Sequence, residues 1–121
     1  MEIPEIHQTL KSLLLEQVPP LRVKQESETN FEVTGTKEAM QGRQKVDGFY
    51  FASLAPKPTD IRFYFFPLYT DPEAFELSAE LKKMLKGKTC FHIKKLDDRL
   101  VAEIRELIGK GVKIYAARDL V

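Results

Sequence analysis

The chain has one cysteine, no tryptophan and only two histidines among its 121 residues. Cys90 alone excludes an internal disulfide and any cysteine-rich zinc site, and a single thiol is what a reducing compartment tolerates. An excess of one charge is lacking as well. Lys plus Arg number 19 against 18 Asp plus Glu, so no net field draws the chain to nucleic acid or to an anionic membrane surface. No apolar run approaches the roughly 18 to 20 residues of a membrane helix. The opening MEIPEIHQTL has acids where a secretory leader needs a basic start, so a cytoplasmic protein with neither membrane nor nucleic-acid partner is expected. Also missing are a phosphate-cradling glycine loop, a helical HExxH, a nucleophile elbow and a spaced carboxylate loop for calcium. Catalysis therefore has no motif behind it, and no cofactor is evident.

What is present is ordinary globular material. Hydrophobic residues at 43% and charged residues at 31% are neither too few nor too many for a packed core. A chain of this length buries roughly two thirds of its unfolded surface, which suits one domain spanning 1–121.

Ile6, Leu10, Leu13, Leu14 and Val18 recur at helical steps after Pro4, and Pro19-Pro20 ends that helix. The alternation in Leu21–Gln25 and Phe31–Val33 predicts a hairpin with one wet face. Thr34–Lys45 holds two glycines and little periodicity, so a long surface loop is expected, with 35–45 a candidate lid. Gly48–Leu54 and Ile61–Phe66 predict a second hairpin, stopped at Pro67 because proline has no N–H to give to a ladder. Asp71-Pro72 reads as a helix start, and Ser78 as the cap of a helix reaching Lys86 before Gly87. Thr89–Lys95 alternates as a last long strand. Asp97 then caps a helix with a Leu100, Ile104, Leu107, Ile108 stripe, ended by Gly109 and Gly111 and followed by an alternating tail, Val112–Tyr115. This order lacks a βαβ rhythm and predicts an α+β fold, an antiparallel sheet of about five strands with helices mainly on one face.

The segment IRFYFFPLY is aromatic on both sides of one strand. Ile61, Phe63 and Phe65 point one way, Arg62, Tyr64 and Phe66 the other. One face makes core under the helices. The second, with Tyr64, Phe66 and Tyr69 and the parity-matched Cys90, His92 and Lys94, is either further packing or a site for a small molecule or a protein partner, a second copy of the chain included. Cys90 and His92 lie two apart on one strand face, a spacing that suits part of a metal or nucleophile pair, but roles as a small buried hydrophobe and a hydrogen-bonded sheet residue are the stronger expectation.

The run from Gly48-Phe49-Tyr50-Phe51-Ala52 through Phe63–Tyr69 to LKGKTCFHIKKLD (85–97) resembles the YdhG-like family of bacterial domains, with the FHIKKLD piece its most specific part. The resemblance spans most of the chain from about Phe31 and implies a frataxin-like layout. It also implies an iron-chaperone role, which would fall to acids such as Glu2, Glu5, Asp97 and Asp98. Three expectations result: a non-catalytic binding module, an iron-binding protein, or a homodimeric interaction protein.

Overall fold

A computed structural model describes residues 1–121. The first helix, α1 (Ile3–Leu15), buries Ile6, Leu10, Leu13 and Leu14, the stripe its spacing predicts, and gives way to turns before the two prolines. Strands β1 (Arg22–Glu26) and β2 (Phe31–Thr34) form the expected antiparallel hairpin.

The segment expected to be a loop is instead a separate hairpin, β3 (Glu38–Gln41) with β4 (Gln44–Asp47). Its two-residue turn opens on Gly42 at φ 64°, the glycine-first geometry that matches the twist of the flanking strands. Neither strand has a fully buried residue, which is why no apolar alternation announced it.

Strands β5 (Tyr50–Pro56) and β6 (Ile61–Phe65) pair antiparallel at the sheet centre, with Ser53 opposite Tyr64 and Ala55 opposite Arg62. A helical turn α2 (Pro67–Thr70) and a 3-10 turn (Pro72–Ala74) follow. Pro67 thus opens a helical turn as well as closing the strand. Asp71 holds the N-cap position of the 3-10 turn and Pro72 opens it, as expected, but the Asp71 carboxylate makes no capping bond; it pairs with Arg118 and accepts from the Thr70 hydroxyl at 2.8 Å.

Helix α3 (Ala79–Met84) starts, as predicted, at Ser78, whose Oγ accepts from the Leu81 N–H. It stops two residues early because Leu85–Lys86 become β7, paired with β8 (Cys90–Ile93). The main sheet has six strands in the order β1-β2-β5-β6-β8-β7.

Helix α4 (Asp98–Ala117) is capped by Asp97, which accepts from the Leu100 N–H at 2.8 Å, and it runs through both glycines expected to end it. The expected extended tail Val112–Tyr115 is part of its last turns. A Cβ on Gly111 would lie 2.8 Å from Phe65 and 3.1 Å from Phe51. Glycine is there for close approach of helix to sheet, not for termination.

Helices α1 and α4 cover one face of the sheet. Their stripes join Phe31, Phe51, Ile61, Phe63, Phe65 and Phe91 in a core of 24 buried residues, and Tyr115 lies edge-on to Phe51 at 5.0 Å. A bidentate pair, Arg105 to Glu16 at 3.0 Å from each nitrogen, ties α4 to the end of α1. The architecture is α+β with an antiparallel sheet, as expected.

Candidate functional site

Parity along β6 answers the aromatic question in part. Ile61, Phe63 and Phe65 are at most 1% exposed and face the helices, while Arg62 and Tyr64 are part-exposed on the outer face. The register places Tyr64 opposite Ser53 on one side and Cys90 on the other, and Arg62 opposite His92. The outer face therefore carries two cross-strand rows, Ser53-Tyr64-Cys90 and Ala55-Arg62-His92.

Burial pushes up the pKa of both the Cys90 thiol and the Tyr64 phenol. Burial therefore favours the protonated form of both groups at neutral pH. Tyr50, beyond the first row, is pushed up to about 12 by burial, and its hydroxyl is 2.5 Å from the Ser53 hydroxyl.

The remaining aromatics gather beyond the first row and are joined to it through Tyr50. Phe66 has passed the strand end and sits among Phe49 (5.7 Å), Tyr50 (5.4 Å) and Tyr69 (5.5 Å). It is a packed member of a small aromatic cluster. Tyr69 is 55% exposed at the rim of that cluster, with the Lys88 ammonium over its ring.

The second row opens into a groove of about 440 Å³ between α3 and the β7–β8 edge, lined by Asp60, Glu80, Lys83, Met84, Lys86, His92, Lys94 and Lys95. Asp60, in the turn before β6, is buried, and its carboxylate accepts from Arg62 Nε at 2.8 Å. The other carboxylate oxygen is 3.8 Å from His92 Nδ1. Burying a carboxylate is costly without a partner, and Arg62 is that partner. Alternation puts His92 on the outer face, and the chain leaving β8 puts Lys94 and Lys95 on the rim.

Of the six residues expected at a ligand site, His92 and Lys94 line this groove. Tyr64 and Cys90 lie one row away on the same face, and Phe66 and Tyr69 lie farther still from the groove, in the aromatic cluster around Tyr50. The residues missed were Asp60, Glu80, Lys83, Met84, Lys86 and Lys95. One signal pointed to the lysines: the stretch from Lys82 to Lys95 holds six lysines and no carboxylate.

Glu2 and Glu5 sit at the exposed start of α1, and Asp97 is engaged as the α4 cap beside Asp98. No group of three or more His, Cys, Asp or Glu side chains is placed to hold a metal ion, and these four acids are not drawn into one. No helix is long and apolar enough to cross a membrane. Compared with protein-family models, curated proteins and solved structures, the chain matches none of them.

Proposed function

We propose that the chain is a non-catalytic binding module that receives a small ligand where the outer sheet face runs into the groove beside β8. One observation carries this reading: a recess of about 440 Å³ opens directly beside the part-exposed Arg62-His92 row of the sheet. That size lies within the roughly 300–1,000 Å³ typical of small-molecule sites. A sheet face is a rigid platform, so Tyr64, Cys90, Arg62 and His92 present donors and acceptors at positions fixed by the strand register.

An amide-resolved NMR screen of a mixed set of neutral, cationic and anionic fragments tests the reading. Shifts should concentrate on Tyr64, Cys90, His92 and Lys94. Hits that map only elsewhere, or no hits at all, would overturn it.

A further inference from the structure

We propose that the groove beside β8 takes a small multivalent oxyanion, a ligand with two or more phosphate or carboxylate charges. The proposal rests on the binding reading above for its location and adds the chemical class of the ligand.

The charge balance of the groove is unlike that of the chain. Overall the cations exceed the anions by one, 19 against 18, yet the groove gathers Lys83, Lys86, Lys94 and Lys95 against Glu80 and Asp60. Asp60 is already held by Arg62, and its side chain is only 4% exposed, so the Asp60-Arg62 pair is close to neutral as seen from the groove. Glu80 alone opposes four ammonium groups. The lysines that do make ion pairs are Lys11, Lys37 and Lys45, all elsewhere. Four unpaired cations around one recess repel one another, and a recess with protein walls focuses their field. A ligand with several negative charges relieves that repulsion, whereas a single charge relieves less of it.

Met84 is the one hydrophobic residue of the lining, and the lysine stems make up much of the remaining apolar wall, so the groups that distinguish this recess are its charges. The lysines come from two stretches of chain that face each other across the β7–β8 hairpin: Lys83 and Lys86 where α3 passes into β7, and Lys94 and Lys95 at the exit of β8. Both stretches line one recess, a geometry that suits a compact anion better than an extended polymer. Lysine serves as a point charge with three donors, and phosphate or carboxylate oxygens accept from it equally.

The test is calorimetric and NMR titration of the intact chain with pyrophosphate, citrate and, as the monovalent comparison, acetate. Pyrophosphate or citrate should shift the amides of Met84, His92, Lys94 and Lys95 and bind at least tenfold more tightly than acetate. Whichever of the two binds more tightly assigns phosphate or carboxylate. The double variant Lys83→Gln, Lys94→Gln should weaken binding about tenfold, and Glu80→Gln should tighten it severalfold, with thermal melts confirming that both still fold. Three results would overturn the proposal: no groove shifts at millimolar pyrophosphate and citrate, affinity unchanged in the double variant, or weaker binding in Glu80→Gln. If neutral or cationic fragments shift the groove while the anions do not, the oxyanion class fails and the binding reading survives. If nothing shifts it, both fail.

Discussion

His7 shows how a single side chain can couple this fold to pH. Its Nε2 is buried with no hydrogen-bond partner in the chain, and burial together with the Lys11 ammonium holds its pKa below the ordinary 6.5. In the unfolded chain the imidazole takes up a proton as pH falls through about 6.5, while the folded chain resists doing so. The folded state is therefore unpenalised above that pH and loses stability below it. Unfolding by urea at pH 7.5 and pH 5.5 should show His7→Gln losing less stability than the parent between the two values. An equal loss in both would place the acid sensitivity elsewhere. Nothing in the sequence distinguished His7 from a solvent-facing helix histidine, because its position one step from the Ile6-Leu10 stripe fits either. The helix's rotation against the sheet decided it.

At the scale of elements, the two glycines of α4 make a matched experiment. Gly109 has open space where an added methyl would project, so Gly109→Ala should gain about 1 kcal/mol from helix propensity alone. Gly111→Ala makes the same propensity gain but drives a methyl into the Phe51 and Phe65 rings, an overpacking cost of about 1–3 kcal/mol. Denaturant midpoints should therefore move in opposite directions, and a parallel rise would show that the α4–sheet contact can relax. The amphipathic stripes, the Ser78 and Asp97 caps and the alternation of β6 and β8 were all readable, since each is a local consequence of period and hydrogen-bonding chemistry. The run through Gly109 and Gly111 was not, because a glycine required by a close neighbour looks the same in sequence as a glycine ending a helix. The β3–β4 hairpin escaped for another reason: with no face in the core, its strands lack apolar alternation.

For the whole molecule, the strand order predicts where the structure opens first. Strands β5 and β6 are paired on both sides and their inner residues lie in the core, whereas β3 and β4 pair only with each other. Amide exchange should be slowest at Phe51–Leu54 and Phe63–Phe65 and far faster in Glu38–Asp47. Equal protection in the hairpin would mean that it folds as one unit with the sheet. The candidate site belongs to this scale too. Its lysines lie before and after the β7–β8 turn, so the basic stretch from Lys82 to Lys95 was visible while its gathering around one recess was not.

By itself the sequence determined the fold class, the inner face of the sheet and the starts of the capped helices and central strands, because periodicity and capping act over a few residues and report directly on what must be buried. Only the tertiary structure decided that Asp60 is buried against Arg62, that Phe66 packs among Phe49, Tyr50 and Tyr69, and that His92 and Lys94 share a groove with Lys83 and Lys86. These depend on strand order and on where α3 meets the sheet edge. Most are contacts set by how separate elements come together, and no local pattern encodes them.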